Sequence, residues 1–506
     1  MSLMGIDVGT TGCKAAVFSL DGELLALAYR EYPLVHPKPG FTELDPELIW
    51  ASVAEVIREA NAGLAADPAQ ALAVSCQGEA VVPVDTAGSA LGNFIVTFDH
   101  RTRPQAEWWE ATVGSRALFA MTGMPLHPMY SICKILWIRD NAPELFARTR
   151  RFLCVEDFIN LRLAGEPVID WSLAGRTMAF DVRKHRWSTE VLRWAGLSED
   201  LLARPLSSGS VVGPVRAGVA EALGFRAPVM VAAGGHDQPC GALGAGIVEP
   251  GMGMNATGTS DVILCAFPRP VLTQRMLRSN YCCYSHVDPS LYVTISFNLT
   301  GGLLLRWHRD VLCEAEVQAA RQRGGDPYEI IVAEASDEPR PLFFLPHFVG
   351  AGTPYLDSDS RGALVGLTID TTKRDLSRAV LDSVNYEAKL NIARLAAAGC
   401  PIRELRAIGG GAKSERWLQM KSDCFGLPVS SMHVSEAATL GAAMLGGVAC
   451  GRFRDAGEAS QAMVHVARRF EPDPVRREQY ERIFPLYQEL YPALRRLNHR
   501  IARAEA

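Results

Sequence analysis

The sequence predicts an α/β protein that is built from two related domains. Its 506 residues are more than one ordinary hydrophobic core holds. A unit of strand, small-residue turn and strand opens each half of the chain, at residues 4–19 and 253–266. Turns of glycine and threonine are common, so these two units alone leave a duplication open. The Gly- and Ala-rich stretch at 241–250 is the expected boundary, which gives domains of 1–245 and 246–506.

Apolar runs, turns and helical spacing give a coarse order of elements. Asp21-Gly22 indicates a hairpin. A helix begins at Asp45 or Pro46, because apolar residues then recur at helical spacing. The expected strands lie at residues 4–8, 14–19, 24–29, 71–75, 229–233, 253–256, 262–266 and 292–297.

The end of the chain predicts an amphipathic helix, despite Pro485. One face of this helix is mostly aromatic, and we attribute it to core packing and not to a ligand site. The face comprises Tyr480, Phe484, Tyr487, Tyr491 and Leu494.

Composition and charge narrow the class of protein. Hydrophobic residues make up 48% and charged residues 21% of the chain, the mixture of a soluble globular protein. The net charge of −5 gives no electrostatic reason to expect nucleic acid or a membrane surface as a partner. No apolar run is long enough to span a bilayer, and the first residues lack the regions of a signal peptide. The twelve cysteines are scattered, so we expect reduced thiols and a cytoplasmic protein.

The turn between the first two strands is a candidate phosphate-binding loop. It offers backbone N–H groups, the hydroxyls of Thr10 and Thr11 and the cation of Lys14, and its glycines allow close approach. Asp7 sits at the strand end, where a carboxylate can hold hydrated magnesium. The segment lacks the ending of a Walker A loop, and a plain hairpin turn remains the alternative.

Residues 234–239 place an acid at the end of another apolar strand. The preceding glycines favour a position for Asp237 that faces a cleft. Phosphoryl transfer from ATP to an alcohol needs a group that accepts the hydroxyl proton. We prefer Asp237 as this base. His236 is the rival, because its unperturbed pKa suits proton transfer, although a lone histidine beside a strand is more often structural.

A third segment, residues 407–414, ends a strand in three glycines before a helix-like stretch at 415–425. Backbone N–H groups at such a helix start suit a nucleotide. A loop that merely reverses the chain has the same appearance, so the segment alone does not decide between these readings.

These segments, in this order, resemble the FGGY carbohydrate kinases, the family that includes glycerol, xylulose and gluconate kinases. The resemblance extends over essentially the whole chain. Residues 129–141 fit the first signature of the family, and the second signature fits between residues 362 and 382. Residues 170–172 and 180–181 resemble an insert of the family.

The resemblance implies an actin-like fold: two RNase H-type domains, with ATP and sugar in the cleft between them. It implies that Asp7 and Asp237 surround magnesium and that Asp237 is the catalytic base. Dimers are common in the family, so a homodimer is left open. The residues implied to contact nucleotide are Thr10, Thr11 and Lys14 in the first loop, Gly258 and Thr259 in the second, and Gly301, Gly302, Gly410, Gly411, Ala412 and Ser414 around the nucleoside.

On the sugar side the sequence departs from the best-known relatives. Glu79 matches a glutamate of glycerol kinases, whereas Gly78 stands where those enzymes carry an arginine. Met129 replaces a tyrosine that glycerol kinases place on the substrate, which argues against glycerol. A carboxylate such as Glu79 suits bidentate hydrogen bonding to two sugar hydroxyls, although a solvated loop glutamate is the alternative. The residues expected at the substrate are Gln77, Gly78, Glu79, Thr97, Met129, Asp237 and Gln238.

The resemblance implies ATP-dependent phosphorylation of a hydroxyl group on a small sugar or polyol. The C-terminal helix around Tyr487 and Tyr491 is more similar to that of xylulose-type kinases, which favours a ketopentose such as xylulose. Residues 350–354 lack a Glu-Arg pair that many relatives carry. A kinase for an aldonate or a tetritol remains an alternative, as does a non-catalytic sugar-sensing protein on the same fold.

Overall fold

The first half of the chain folds around a six-stranded sheet in the computed structural model, which describes residues 1–64 and 67–505. Its strands are β1 (Ser2–Val8), β2 (Gly12–Ser19), β3 (Leu24–Glu31), β4 (Glu43–Leu44), β5 (Ala69–Cys76), β6 (Val82–Val84), β7 (Phe94–Ile95), β8 (Arg151–Leu153), β9 (Val168–Asp170), β10 (Phe180–Asp181), β11 (Arg186–Trp187), β12 (Arg204–Leu206), β13 (Val211–Pro214) and β14 (Met230–His236). Its helices are α1 (Pro46–Ala62), α2 (Arg103–Thr112), α3 (Ser115–Thr122), α4 (Ser131–Asn141), α5 (Pro143–Arg148), α6 (Val155–Ala164), α7 (Trp171–Gly175), α8 (Thr189–Ala195), α9 (Ala217–Ala222) and α10 (Asp237–Gly244), with a 3-10 turn at Glu199–Leu201.

The second half folds around a seven-stranded sheet. Its strands are β15 (Met252–Thr257), β16 (Asp261–Phe267), β17 (Tyr284–Ser285), β18 (Tyr292–Asn298), β19 (Phe343–Leu345), β20 (Ala363–Val365), β21 (Glu404–Ile408), β22 (Val429–Met432) and β23 (Val466–Phe470). Its helices are α11 (Gln274–Arg278), α12 (Gly302–Leu312), α13 (Glu314–Arg323), α14 (Pro327–Glu334), α15 (Lys373–Ala397), α16 (Glu415–Phe425), α17 (Ala437–Ala449), α18 (Ala456–Met463) and α19 (Pro474–Glu505), with a 3-10 turn at Gly410–Lys413.

The two sheets share one topology. In the first, the order is β3-β2-β1-β5-β14-β13, with β1, β5 and β14 parallel and the other strands antiparallel to their neighbours. In the second, β18-β16-β15-β21-β22-β23 repeats this order, with β15, β21 and β22 parallel. The prediction of two related α/β domains is therefore confirmed, and each strand–turn–strand unit seen in the sequence is the first hairpin of its sheet.

Side-chain alternation explains how the first sheet is covered on both faces. Met4, Ile6 and Val8 on β1 belong to the core that also contains the apolar face of α1. Leu3 points to the other face, where it packs in a cluster with α17. This helix comes from the second half of the chain, and its backbone lies so close that a Cβ on Gly5 would be 1.8 Å from the Thr439 carbonyl oxygen. The division of the chain between residues 245 and 246 remains a prediction.

Helix ends follow ordinary capping rules. Asp45 caps α1, since its side chain accepts hydrogen bonds from the backbone N–H groups of Glu47 and Leu48. Thr372 and Asp375 form a capping box at the start of α15. Asp45 is thus the cap and Pro46 the first residue of the helix that the sequence predicted.

The aromatic face of α19 is buried, as its attribution to core packing requires. The helix continues through Pro485 and Pro492. Tyr480 donates a hydrogen bond to Asp382 Oδ1 at 2.6 Å, and Tyr487 donates to Glu387 Oε1 at the same distance. These bonds attach α19 to α15, because both carboxylates lie on that helix.

The twelve cysteines are free thiols, and all except the partly exposed Cys450 are buried. Within the described residues, no helix is both long and apolar enough to cross a membrane.

Candidate active site

The carboxyl ends of three parallel strands form one edge of the first sheet. Asp7 on β1 faces Ser75 on β5, and Ser75 faces Gly235 on β14. Ser75 Oγ donates a hydrogen bond of 2.8 Å to Asp7 Oδ1. Burial raises the pKa of Asp7, which marks a carboxylate held in an enclosed position.

Asp237 begins helix α10, directly after β14. The side chain is 36% exposed, yet its Oδ1 is shielded from solvent and receives no hydrogen bond from any residue that the structure describes. Burial, together with the negative charges of Asp7 and Glu79, raises the pKa of Asp237 to about 7. A carboxylate with this basicity and an unpaired oxygen is suited to accept a proton.

Two side chains, Glu156 on α6 and Ser172 on α7, support the strand that leads to Asp237. The pairing of β14 with β5 shifts register between residues 232 and 235. The Gly234 N–H donates to Glu156 Oε1 at 2.7 Å, and the His236 N–H donates to Ser172 Oγ at 2.9 Å. Backbone donors at this irregular stretch are therefore satisfied by side chains instead of by the sheet.

The first candidate phosphate loop is braced from both sides. Thr10 donates a hydrogen bond to Gln77 Oε1 at 3.1 Å, and Gln77 Nε2 donates to the Gly9 carbonyl oxygen at the same distance. Lys14 Nζ forms an ion pair of 2.8 Å with Glu436, the residue before α17. Thr11 is exposed at the tip of the turn.

The second and third candidate loops meet at Thr257. The N–H groups of Gly301 and Gly302 donate to the carbonyl oxygens of Thr259 and Gly258, at 2.9 and 2.8 Å, so that the start of α12 holds the second loop. On the third loop, a Cβ on Gly411 would lie 2.6 Å from the Thr257 Cβ. Only glycine fits at this close approach.

A cavity of about 540 Å³ opens beside these two loops. Its walls come from α12, α14 and α16, including Tyr328 and Trp417. Tyr328 accepts a hydrogen bond from Arg309 at 2.8 Å, and Trp417 donates to Asn385 at 3.1 Å. Of the residues predicted to contact nucleotide, the lining contains Gly258, Thr259, Gly302, Gly410, Gly411 and Ser414, and it does not contain Gly301, Ala412 or the first-loop residues Thr10, Thr11 and Lys14.

A buried ion pair includes Glu79, one of the residues predicted to contact the substrate. Glu79 has a positive φ of 64° and is 3% exposed. Arg176 is 4% exposed, and its Nε donates to Glu79 Oε1 at 2.5 Å, while Thr97 donates to Glu79 Oε2 at 3.0 Å. Both carboxylate oxygens of Glu79 thus have partners within the protein. Lys134, also buried, donates to the Glu79 backbone carbonyl oxygen at 2.7 Å.

Two carbohydrate-kinase family models match the chain. The model described as the FGGY family of carbohydrate kinases, N-terminal domain, matches residues 2–244, and that of the C-terminal domain matches residues 253–450. The chain belongs to the FGGY family of carbohydrate kinases. It is therefore a phosphotransferase of the family that the sequence motifs indicated.

Relatives of this FGGY kinase are named for different substrates. The chain is similar to a xylulose kinase of Bacillus subtilis, with 28% identity over 98% of both chains. It is also similar to a glycerol kinase of Methylibium petroleiphilum, with 30% identity over 95% of this chain and 97% of that one. Among solved structures, a gluconate kinase from Lactobacillus acidophilus superposes with a TM-score of 0.89 at 26% identity, over 97% of this chain and 98% of that one. The gluconate kinase and this chain share the two-domain α/β fold.

Within the FGGY fold, the structure brings several of the predicted site residues together. Asp7 faces Ser75 on β5, and His236, directly before Asp237, faces Cys76, so both aspartates lie at one edge of the first sheet. Glu79 follows the end of β5 by three residues. Gln238 follows Asp237, and its buried Oε1 has no hydrogen-bond partner among the described residues. Met129 is half-buried, and its backbone N–H donates to His127. Gln77, which was predicted to contact the sugar, instead forms hydrogen bonds with Thr10 and Gly9 of the first candidate phosphate loop.

Sequence reasoning missed three residues of this FGGY kinase. Arg176 lies 97 positions from its partner Glu79, and Lys421 lies 164 positions from Thr257. Tyr284 reaches His236 from the second half of the chain. No local spacing signals these contacts.

Proposed function

We propose that this kinase transfers the γ-phosphoryl group of ATP to a hydroxyl group of a small sugar or polyol, with Asp237 as the general base. The observation that carries the proposal is the placement of Asp237: it begins a helix at the sheet edge beside Asp7, with an oxygen that has no hydrogen-bond partner in the described chain. Oδ1 is shielded from solvent, whereas the side chain as a whole is 36% exposed, so the other carboxylate oxygen is available for the proton of an attacking hydroxyl. Asp237 takes this proton as the oxygen of the sugar bonds to phosphorus and the bond to the β-phosphate oxygen breaks.

The nucleotide cavity fits ATP in its chemistry. Glycine-rich loops line one end, and Tyr328 and Trp417 are among the lining residues that the helices supply. The loops would hold phosphates, and the aromatic end would hold the adenine. Thr10, Thr11 and Lys14 would meet the phosphates from the opposite domain.

The acidic groups at the sheet edge fit magnesium. The described residues contain no cluster of three or more His, Cys, Asp or Glu side chains that could hold a metal ion by themselves. Magnesium is usually bound by one or two carboxylates together with water and substrate phosphates. Asp7 and Asp237 would supply those carboxylates, and the ion would neutralise phosphate charge.

A ketopentose such as xylulose is the substrate that we favour. The chain is similar to a xylulose kinase over nearly its whole length. Arg176 is paired with Glu79, and the pair as a whole carries no net positive charge that would attract the carboxylate of an aldonate. A tetritol remains an alternative that this charge argument does not distinguish. The cytoplasmic location is part of the same proposal, since free thiols are typical of a reducing compartment.

Coupled ADP release with ATP and magnesium tests the proposal across a panel of ketoses, aldonates and polyols. We expect turnover with a ketopentose above that with the other members. Asp237→Asn should keep ADP affinity and lose turnover by roughly 10²- to 10⁴-fold, because it removes the proton acceptor and nearly preserves shape. Comparable turnover in that variant would contradict the assigned base.

The sensor alternative predicts a different pattern. A non-catalytic protein on this fold would bind a sugar in calorimetry but release no ADP with any member of the panel. An actin- or chaperone-like ATPase, which uses nucleotide to drive a conformational change, would release ADP equally with and without sugar. Either result from folded protein would remove the kinase proposal for this chain.

A further inference from the structure

His236 lies between Asp237 and a residue of the second domain. Its Nε2 is 3.1 Å from Asp237 Oδ1, although the N–H direction is not aligned well enough for a full hydrogen bond. Its Nδ1 is 3.1 Å from the hydroxyl oxygen of Tyr284. The imidazole is 4% exposed and the tyrosine ring is fully buried. The His236 ring therefore lies between the carboxylate of Asp237 and the hydroxyl group of the buried Tyr284.

The position of the imidazole depends on Gly78. A Cβ at residue 78 would lie 2.9 Å from His236 Nε2 and 3.0 Å from its Cδ2. Any side chain there would displace the ring from Asp237. The glycine that distinguishes this chain from the glycerol kinases thus provides the space that His236 occupies.

Tyr284 is held firmly by the first domain. The neighbouring Cys283 N–H donates to the Gly123 carbonyl oxygen at 2.7 Å. A Cβ on Gly175 would lie 3.1 Å from the Tyr284 Cβ, which shows how closely the two backbones pack. The Arg176 guanidinium lies 5.4 Å from the centre of the Tyr284 ring. The hydroxyl group therefore has a fixed place from which to orient the imidazole.

We propose that Tyr284 and His236 are positioning residues for the catalytic base: the Tyr284 hydroxyl donates to His236 Nδ1, so that His236 Nε2–H is directed at Asp237 Oδ1. One oxygen of Asp237 is then held, and the other faces the substrate hydroxyl. The inference rests on the proposed function of Asp237. Catalytic hydrogen bonds are often poorly aligned without substrate, which is consistent with the contact seen at 3.1 Å.

Tyr284→Phe removes the hydroxyl group and nearly preserves the ring. We expect kcat to fall roughly 10- to 100-fold, as on loss of an outer-shell partner, while KM for sugar and for ATP changes less than about twofold. Tyr292→Phe is a matched control, because the Tyr292 hydroxyl also lies 3.1 Å from a histidine nitrogen of the first domain, His185 Nε2, but not beside Asp237. Its kcat should stay within about twofold of the wild-type value. An equal fall in both variants would assign the effect to domain contact and overturn the inference.

A readout that needs no turnover separates this inference from the proposed function. In protein labelled with ¹⁵N at histidine, the His236 signal is identified by its loss in His236→Asn. We expect the wild type to show a neutral ring with its proton on Nε2, and Tyr284→Phe to lose this single tautomer. An unchanged His236 spectrum in Tyr284→Phe would overturn the positioning role even if the wild type phosphorylates a sugar. A wild type that shows the expected tautomer but no turnover would instead refute the proposed function.

Discussion

Lys421 on α16 donates a hydrogen bond of 2.5 Å to Thr257 Oγ1, beside the second candidate phosphate loop. It also donates to Asn255 and lies 3.5 Å from Asp261 Oδ1, and the lysine and the aspartate side chains are each 1% exposed. Burial lowers the pKa of Lys421. Since Gly411 of the third candidate loop packs against Thr257, this buried cation supports both loops beside the cavity that we propose for the nucleotide.

Lys421→Met should weaken nucleotide binding. The substitution preserves the volume of the stem but leaves Thr257 and Asp261 without their cation, so the loop between β15 and β16 loses its fixed geometry. We expect KM for ATP and Kd for ADP to rise about tenfold or more, with KM for the sugar nearly unchanged. Calorimetric titration of ADP into the variant checks this outcome.

Lys389→Met is the matched control for Lys421→Met. Lys389 is another buried lysine of the second domain, but it donates to the Cys424 carbonyl oxygen and to Glu481, away from the loops. Its loss should lower the melting temperature and leave ADP affinity unchanged. Equal ADP affinities in the two variants would show that Lys421 serves only the stability of the domain.

The Glu79–Arg176 pair predicts a large stability cost for a single substitution. Glu79→Ala should raise KM for the sugar and leave KM for ATP nearly unchanged. It also leaves a buried guanidinium unpaired, so we expect the free energy of unfolding to fall by about 3–5 kcal/mol. Chemical denaturation checks the stability, and coupled ADP release checks the two KM values.

Removing both charges separates the two effects of Glu79. Glu79→Gln combined with Arg176→Met should recover part of the stability lost in Glu79→Gln alone, because no unpaired charge remains buried. If Glu79 also contacts the sugar, KM for the sugar will stay high in the double variant. Recovery of both stability and KM would show that the glutamate acts only through Arg176.

The sequence predicted the strands and the order of the two halves because these depend on local pattern. The short apolar run at residues 4–8, ended by the turn at residues 9–12, indicated the first strand, which the structure has at Ser2–Val8. The partners of Glu79 and Thr257 depend instead on which helices pack behind the loops, and neither Arg176 nor Lys421 belongs to a local motif with its partner. The sequence therefore offered candidate site residues, which remain predictions, but it did not indicate which side chains support them.

Asp237→Asn should stabilise the protein in the absence of nucleotide and magnesium. The pKa of Asp237 is raised from 3.8 to about 7, so the folded protein binds more protons than the unfolded chain between these values. The free energy of unfolding therefore falls through this group as the pH rises from about 4 to 7, and it stays low above pH 7. We expect the melting temperature of the variant to exceed that of the wild type by roughly 1–3 °C at pH 8, with a smaller gap near pH 4.

Thermal unfolding in EDTA across this pH range checks the sign of that effect. Magnesium with ADP should then raise the melting temperature of the wild type more than that of Asp237→Asn, if the carboxylate helps to hold the ion. A gap between the two proteins that does not change with pH would contradict the raised pKa.

Glu156→Gln should reduce turnover through the strand that carries Asp237. Glu156 is fully buried and accepts from the Gly234 N–H through Oε1 and from the Asp170 N–H at 2.9 Å through Oε2, so an amide turns one acceptor into a donor that faces another donor. We expect kcat to fall about tenfold with KM for ATP unchanged, measured by coupled ADP release. Asp157→Asn is the control: this neighbouring carboxyl is also buried, but its Oδ1 has no hydrogen-bond partner among the described residues, so no donor of β14 depends on it and the amide should be tolerated. Similar kcat values in the two variants would show that the bulged strand keeps Asp237 in place without Glu156.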